Sequence, residues 1–335
     1  MKLRIYGYTL EELQEELTAK GIKPYKTKII YRWLHTKTPD SWQDITSISK
    51  PEREMLEGNY LLSHYDFEKV ESSGAIKYVL TYPDNETIEC VVIKSRDRTT
   101  LCVSSQVGCA LGCTFCATGN MGFKRNLTTE EIVFQYILAS REGHKIDNVV
   151  YMGMGEPLLN LDNVLKSIAI LNDPFGAQIG IRRFTVSTVG IIRGIETLIE
   201  KGIRLNLAVS IHQADEEKRS EIVPANKANP LFKLLDVVHR YMEESGRRVT
   251  LEYTLLQDIN DKDSDAQELI FLVKGTGFHV NLIPYNAAEG KYKTSTRAQR
   301  FQKILLDRGI NATLRRSEGS DINAACGMLA AKKSH

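Results

Sequence analysis

The sequence predicts an α/β fold in which parallel strands alternate with helices, preceded by a smaller α+β region. Two features of the pattern lead to this prediction. From about residue 98 onward, short apolar runs alternate with amphipathic segments of helical length, whereas the preceding residues show short helices followed by strand-like runs. Strands joined through helices run parallel, so the larger region predicts a barrel or an open doubly wound sheet. Ligands of such sheets bind at the carboxyl ends of the strands.

The first of two predicted domains covers residues 1–97. Its helices are expected at about residues 9–19, 25–34 and 50–56, and its strands at residues 65–70, 75–81 and 86–93. Pro83, Asp84 and Asn85 separate the last two strands and are typical of a hairpin turn. We therefore expect a small α+β domain here.

The second predicted domain covers residues 98–335 and contains six βα units. Its strands are expected at residues 101–105, 148–153, 183–187, 205–210, 248–255 and 280–284. Thr128 is the predicted N-cap of the first helix, and later helices are expected at residues 160–171, 190–201, 231–244 and 263–274. Each strand is thus followed by a segment that can cover the sheet.

The composition is that of an ordinary globular chain. Its 335 residues include 42% apolar residues, which is enough for a substantial core, and the net charge of +2 identifies no partner by itself. No apolar run reaches the length of a membrane span, and no secretory signal is apparent. Six cysteines in this context favour thiol chemistry in a reducing compartment, so we expect a cytoplasmic protein without a membrane partner.

Two basic stretches suggest a nucleic-acid partner. Residues 20–37 contain six Lys and Arg and no acid, interleaved with aromatic rings, and residues 291–316 contain eight Lys and Arg with a single acid. Cations attract phosphates, and rings can stack on bases. Solvated helix faces show the same pattern, so each stretch alone leaves both interpretations open. Two such stretches beside redox-active thiols favour RNA.

Three cysteines follow the first predicted strand with the spacing C-x3-C-x2-C, at Cys109, Cys113 and Cys116. Three thiolates can hold three irons of a [4Fe–4S] cluster and leave the fourth iron open for a substrate. Structural zinc sites take four ligands, usually as two C-x2-C pairs, and only one such pair is present. Zinc is the alternative if Cys102 supplies a fourth ligand, but the spacing favours the iron–sulfur cluster.

Other polar residues lie where later predicted strands end. They are Gly155 and Glu156 after the second strand, Ser187 after the third, Ser210, Ile211 and His212 after the fourth, and Asn286 after the last. A carboxylate such as Glu156 could accept a hydrogen bond from an amine, and Asn286 could pair with an adenine edge. Each residue alone is as typical of a turn or a packed side chain as of a ligand site.

Five motifs, in order, match a known family over nearly the whole chain. They lie at residues 101–116, 125–128, 152–158, 280–286 and 321–327. On these motifs the chain resembles radical S-adenosylmethionine (SAM) methyltransferases of the RlmN/Cfr group, which act on an adenosine in 23S ribosomal RNA. The resemblance implies a partial TIM-like (β/α)6 barrel with a C-terminal catalytic-cysteine loop over residues 98–335. Residues 1–97 would form an accessory RNA-binding domain.

The resemblance also implies the ligands of the site. Cys109, Cys113 and Cys116 would hold one [4Fe–4S] cluster, whose open iron would bind the amine and carboxylate of SAM. The residues that match the family's SAM contacts are Gly155, Glu156, Ser187, Ser210, Ile211, His212 and Asn286. The implied partners are 23S rRNA, an electron donor of the flavodoxin or ferredoxin type, and a thiol reductant.

The family's route explains why two further thiols are needed. Adenine C2 is too electron-poor to attack the methyl group of SAM, so the Cys326 thiolate would accept that methyl group first. A 5′-deoxyadenosyl radical from a second SAM would remove hydrogen from the methyl group, and the carbon radical would add to adenine. Cys102 would take part in release and leave a Cys102–Cys326 disulfide. Glu89 matches the family's proposed proton acceptor.

Several departures limit the substrate assignment. Asn323 and Met328 replace an acid and a glutamine of the usual pattern, and residues 287–290 replace a proline-containing stretch. Pro157 favours the C2 methyltransferases over the C8 enzymes that confer antibiotic resistance, which are the nearer alternative. A non-catalytic RNA-binding protein with zinc is the distant one. The pattern leaves open a second substrate in transfer RNA and gives Cys90 no role.

Overall fold

The structure is a computed structural model, and it describes residues 2–286, 291–315 and 319–330. Its first strands are β1 Leu3–Arg4, β2 Tyr60–Leu61, β3 Asp66–Glu71, β4 Ala75–Thr81, β5 Thr87–Ser95, β6 Arg98–Cys102, β7 Gln106–Gly108 and β8 Phe123–Asn126. The later strands are β9 Asn148–Tyr151, β10 Phe184–Thr188, β11 Asn206–Ser210, β12 Thr250–Leu255, β13 His279–Pro284 and β14 Ala312–Leu314.

The helices lie mostly between the later strands. They are α1 Leu10–Thr18, α2 Pro24–Arg32, α3 Lys50–Asn59, α4 Ala117–Asn120, α5 Thr129–Arg141, α6 Leu161–Asn172, α7 Ile192–Glu200, α8 Glu216–Ile222, α9 Leu231–Ser245, α10 Asp263–Val273 and α11 Ala298–Asp307. Short 3-10 turns and a π-helical turn, Trp33–Lys37, connect some of them. Among the described residues, no helix combines the length and the apolar character needed to cross a membrane.

In the described residues, ten strands form one sheet in the order β14-β13-β12-β11-β10-β9-β6-β5-β4-β3. All pairs from β6 through β9 to β14 are parallel, whereas β3 to β6 pair antiparallel. Each of the six predicted βα strands has a counterpart in the parallel part. The predicted α/β fold class is therefore confirmed.

The amino-terminal strands join the same sheet. Ser95 pairs with Arg98 across the turn between β5 and β6, so the hairpin strands continue the parallel part directly. The preceding helices pack beside them, and one apolar core runs through both regions. A continuous sheet crosses the boundary between residues 97 and 98. The division of the chain into two domains there stays a prediction.

Helix α5, which follows β8, begins as the sequence predicts. Thr128 caps α5, its hydroxyl accepts the Glu131 N–H at 3.3 Å, and the Glu131 carboxylate accepts the Thr128 N–H at 2.8 Å. This reciprocal capping satisfies donors that a helix start leaves without partners. The helix is apolar on most sides, and most of its residues are buried.

The segment before the cysteines differs from the prediction. Strand β6 ends at Cys102, earlier than expected, and β7 pairs antiparallel with β8 to form a small separate hairpin. Gly108 ends β7 with a φ of 72°, and a Cβ there would collide with the Gly122 carbonyl oxygen. Glycine is required at this point because the two strands approach so closely. The hairpin holds both ends of the cysteine loop.

Candidate active site

Two cavities lie at the carboxyl ends of the parallel strands and share one wall. The first has a volume of about 150 Å³ and the second about 290 Å³. Met152, Ile283, Arg315 and Cys326 line both cavities and form the shared wall. Parallel α/β sheets place ligand sites at this edge. The site therefore has two compartments with a cysteine between them.

The cysteine loop opens into the first cavity. Cys113 and Cys116 line that cavity, and Cys109 lies half-buried beside them. Burial raises the pKa of the Cys109 thiol to about 11, and the Cys116 thiol contributes to this rise. Burial likewise raises the pKa of Cys113, with added contributions from Cys116 and Cys109. Three neighbouring thiols that are costly to ionise alone suit a metal–sulfide cluster, because coordination compensates their charge.

Cys102 lies apart from this loop. It lines the second cavity together with Cys326, and burial raises the pKa of its thiol to about 12, with Cys326 adding to the rise. The zinc alternative requires Cys102 beside the loop cysteines. Cys102 lines the second cavity, whereas Cys113 and Cys116 line the first. The geometry thus disfavours a zinc knot.

The loop after β9 brings Gly155 and Glu156 to the first cavity. Gly155 has a φ of 98°, and a Cβ there would lie 2.8 Å from the Gln106 N atom, so only glycine fits. The Glu156 carboxylate accepts N–H groups from Leu158 and Val189, each at 3.0 Å. Burial nevertheless raises the pKa of Glu156 to about 7. A cationic amine in the cavity would stabilise this carboxylate as an anion.

The ends of β10 and β11 supply three of the predicted contacts. Ser187, Ser210 and His212 line the first cavity, whereas Ile211 is fully buried behind it. His212 Nδ1 accepts the Thr254 N–H at 3.0 Å, and burial, with the nearby Arg219 charge, lowers the pKa of His212 to about 3. The imidazole is therefore neutral at physiological pH. It acts as a hydrogen-bonding and packing group in this wall.

Arg219 explains how these strand ends keep their shape. Its guanidinium is fully buried and donates to the Ile211 carbonyl at 2.9 Å, the Val189 carbonyl at 2.6 Å and the Ser210 carbonyl at 3.2 Å. One side chain thus binds carbonyl groups from the ends of two neighbouring strands. Ile211 contributes backbone to this arrangement, and its side chain faces the core.

Asn286 lies in the second cavity, separate from the other predicted SAM contacts. Its Nδ2 atom is buried and has no hydrogen-bond partner among the described residues. A buried donor without a partner is costly, so a ligand atom is the natural acceptor. The neighbouring departures at residues 287–290 lie outside the described residues.

Sequence reasoning missed two charged residues of the site. Glu252 lines the first cavity and accepts a hydrogen bond from Asn281 Nδ2 at 2.8 Å. Burial raises the pKa of Glu252 to about 7, and Arg315 opposes the rise. Alternation along β12 places Glu252 and Thr254 on the same face, which is a signal that the sequence contains. The sequence contains no such signal for Arg315, because this residue could not be distinguished from the other members of its basic stretch.

Glu89 is buried beside the carboxyl-terminal segment. Lys77 Nζ lies 3.1 Å from Glu89 Oε1, and Glu89 Oε2 accepts the Ala330 N–H at 3.1 Å. Within the described part of the chain, Glu89 lines neither cavity. Cys90 is fully buried next to it and also lines neither.

The basic stretches are partly neutralised by nearby acids. Lys26 pairs with Glu52 at 2.6 Å, and Arg297 pairs with Asp263 at 2.9 Å. Tyr25 is 57% exposed in the first stretch, whereas the other rings there are partly or fully buried. Arg316, in the second stretch, lies outside the described residues. Surface cations that remain can still contact phosphates.

Comparison with family models identifies both parts of the chain. Residues 103–270 match the model of the radical SAM superfamily, and residues 3–61 match that of the ribosomal RNA large subunit methyltransferase N-terminal domain. The radical SAM match covers half of the chain and contains the cysteine loop. Members of this superfamily use a [4Fe–4S] cluster and SAM.

Similar proteins extend these matches over the whole chain. A relative from Dictyoglomus thermophilum, named "Probable dual-specificity RNA methyltransferase RlmN", is 44% identical over 98% of this chain and 96% of its own length. A relative of the same name from Aquifex aeolicus is 40% identical over 97% and 96%. The crystal structure of a radical SAM methyltransferase from Sphaerobacter thermophilus has a TM-score of 0.94, with 41% identity over 98% of this chain and 100% of that one. The chain therefore belongs to the RlmN family of radical SAM RNA methyltransferases.

Proposed function

We propose that this protein methylates C2 of an adenosine in 23S ribosomal RNA and that Cys326 carries the methyl carbon. The observation that carries the proposal is the position of Cys326 in the wall between two cavities. One cavity contains loop cysteines, and the other contains Cys102. A thiol in this place can face the methyl donor on one side and a second thiol on the other.

The chemistry of the target atom requires such a carrier. Adenine C2 lies between two ring nitrogens and cannot attack an electrophilic methyl group as an amine would. When bound, the [4Fe–4S] cluster and SAM supply the radical that activates a methyl group. Cys109, Cys113 and Cys116 are the proposed cluster ligands, since their thiols neighbour one another at the first cavity.

The chain's own residues would perform the remaining tasks. Cys326, as a thiolate, would accept one methyl group from SAM and release S-adenosylhomocysteine. Cys102 would later attack the sulfur of Cys326, so that the carbon–sulfur bond to RNA breaks and a disulfide forms. A thiol reductant must then return both cysteines to the reduced state. Arg315 faces both thiols, and the Cys326 charge raises its pKa above the usual value.

The proposed SAM contacts fall into two groups. Gly155, Glu156, Ser187, Ser210 and His212 line or border the first cavity, where Glu156 would accept from the methionine amine. Two others lie elsewhere: Ile211, whose side chain is in the core, and Asn286, in the second cavity. For Ile211 we propose a backbone contact. For Asn286 we propose donation through its buried Nδ2 atom.

The wider setting of the reaction follows from this proposal. The relatives' name, dual-specificity RNA methyltransferase, supports a second kind of substrate besides 23S rRNA, and we propose transfer RNA for it. A disulfide that must be reduced after each turnover, and a cluster that needs electrons, favour the cytoplasm. An electron donor of the flavodoxin or ferredoxin type would serve the cluster there. Glu89 is kept as the proposed proton acceptor.

The experiment that tests the ring position is nucleoside mass spectrometry. Anaerobic holoenzyme, SAM and unmodified 23S rRNA are incubated, and the digested nucleosides are compared with 2-methyladenosine and 8-methyladenosine standards. We expect 2-methyladenosine. Detection of 8-methyladenosine alone would assign the chain to the C8 reaction, and modified RNA would be lacking altogether if the chain were only a binding protein.

A further inference from the structure

The segment that carries Cys326 is attached to α4, the short helix that directly follows Cys116. The Ala117 N–H donates to the Gly327 carbonyl at 2.8 Å, and the Thr118 hydroxyl donates to the Leu329 carbonyl at 2.6 Å. Thr118 is only 4% exposed, so its hydroxyl has little access to water. Both bonds lie within three residues of Cys326 along the chain.

A second attachment lies on strand β5. The Glu89 carboxylate accepts the Ala330 N–H at 3.1 Å through one oxygen and faces Lys77 at 3.1 Å through the other. Glu89 is 1% exposed and Lys77 is 8% exposed, so the pair is shielded from solvent. A buried carboxylate with an ammonium partner can accept a strong hydrogen bond. The segment is thus held from two directions.

We propose that Thr118 and Glu89 are positioning residues that hold the Cys326 thiol in the wall between the two cavities. The inference rests on the proposed methylation of Cys326. To accept a methyl group, that thiol must face the first cavity, and to form a disulfide it must face Cys102 in the second. A released segment would present the thiol correctly for only a fraction of the time, and the rate would fall by that fraction.

This inference gives Glu89 a positioning role that differs from its proposed role as a proton acceptor. A proton acceptor acts on the RNA carbon, so its loss cannot slow a step that proceeds without RNA. A positioning residue, in contrast, acts already when Cys326 receives its methyl group. The RNA-free step therefore separates the two roles. It also avoids any dependence on RNA binding.

The first test follows Cys326 methylation in anaerobic holoenzyme given SAM without RNA. Peptide mass spectrometry measures the fraction of Cys326 that carries a methyl group as a function of time. We expect Thr118→Val, which replaces the hydroxyl by a methyl group of similar size, to slow methylation about tenfold. Thr118→Ser keeps the hydroxyl and should restore the wild-type rate. Thr27→Val is a matched control, because Thr27 is a buried threonine whose hydroxyl has no hydrogen-bond partner among the described residues.

The second test uses the other attachment. Glu89→Ala should slow the same RNA-free methylation about tenfold, because it removes the acceptor of the Ala330 N–H. Iron content is measured in every variant, and if Thr118→Val loses iron, Glu89→Ala decides the inference. Amide hydrogen exchange by residues 326–330 should be at least tenfold faster in Thr118→Val and Glu89→Ala than in the wild type.

The outcomes separate this inference from the proposed function. The positioning role would be wrong if Thr118→Val and Glu89→Ala both showed wild-type rates of Cys326 methylation and of amide hydrogen exchange. Slower methylation without faster exchange in the segment would also overturn it, because the cause would then lie elsewhere. If wild-type Cys326 never acquires a methyl group while RNA is still methylated, it is the carrier function that fails.

Discussion

Cys102 and Cys326 line the same cavity, although one belongs to the first parallel strand and the other to the carboxyl-terminal segment. The fold brings them together because β6 lies beside β5, and residues 324–330 pack against this part of the sheet. Neither cysteine belongs to the loop of three. The wall that contains Cys326 thus lies between the proposed cluster site and Cys102.

The separation predicts different effects for two cysteine substitutions. Cys326→Ala should abolish RNA methylation while the protein keeps its iron, because Cys326 is not a proposed cluster ligand. Cys113→Ala should lose iron and activity together. Iron and sulfide analysis with nucleoside mass spectrometry measures both properties. Cys90→Ala is the control, since Cys90 is buried and lines neither cavity in the described residues. Full turnover by Cys326→Ala would contradict the carrier role.

Replacing Cys102 tests the release step. Cys102→Ala keeps Cys326 and the cysteine loop, so a methyl carbon can still reach the RNA. Without a second thiol, the bond between the Cys326 sulfur and the RNA should persist, and protein should remain attached to RNA under denaturing conditions. Gel electrophoresis with labelled RNA detects the adduct. Release of methylated RNA at the wild-type rate would show that Cys102 has no part in the reaction.

The buried carboxylate of Glu156 predicts a large change in SAM affinity. Glu156→Ala would remove the proposed charge-assisted hydrogen bond to the amine, which is worth about 1.5 to 3 kcal/mol, or about a 10- to 150-fold weaker Kd. Equilibrium dialysis with anaerobic holoenzyme measures the affinity. An unchanged Kd would remove Glu156 from the proposed SAM contacts. Glu252→Ala, at the same cavity but on another strand, tests whether the loss is specific to Glu156.

Glu252 predicts a pH-dependent contribution to stability. Burial raises its pKa from 4.5 to about 7, so the folded protein holds this proton more tightly than the unfolded chain. As pH rises from below 4.5 to above 7, the unfolded state loses its proton first, and this group lowers the free energy of unfolding by about 3 kcal/mol. Glu252→Gln should lack that decrease.

The measurement for Glu252 is urea unfolding of wild type and Glu252→Gln at pH 5 and pH 8. The variant should gain stability relative to wild type at pH 8 and show a smaller gain at pH 5. The Gln oxygen can still accept the hydrogen bond from Asn281, so the comparison isolates the charge. The difference in the free energy of unfolding between variant and wild type could instead be equal at both pH values. That result would mean that Glu252 ionises as easily in the folded protein as in the unfolded chain.

The strands and their alternation with helices were predictable, because the spacing of apolar residues indicates which face of each element is buried. Thr128 and Glu131 likewise encode a helix start locally, and the structure has it there. Strand β14 was missed because three residues are too few to show a period. The β7–β8 hairpin was missed because its pairing depends on Gly108 and Gly122 approaching across the cysteine loop.

The functional site was predictable from residue patterns only where its residues lie close together in the sequence. The spacing of the three loop cysteines indicates a cluster without any knowledge of the fold. Cys102, Arg315 and Cys326 lie far apart in the sequence, so their common wall depends on tertiary packing. Glu89 illustrates the same limit, since its contact with Ala330 joins two distant segments. The family resemblance identified Cys102 and Cys326 as functional residues. The hydrogen bonds that attach the segment of Cys326 could be found only in the structure.

The most direct test of the central claim uses SAM whose methyl group carries three deuterium atoms. Anaerobic holoenzyme is incubated with this SAM and 23S rRNA, and the methylated nucleoside is weighed by mass spectrometry. If Cys326 carries the carbon and hydrogen is removed from it before it reaches adenine, the C2 methyl group should retain two deuterium atoms, and Cys326→Ala should give no product. A product that keeps all three deuterium atoms, or one formed equally by Cys326→Ala, would contradict the account.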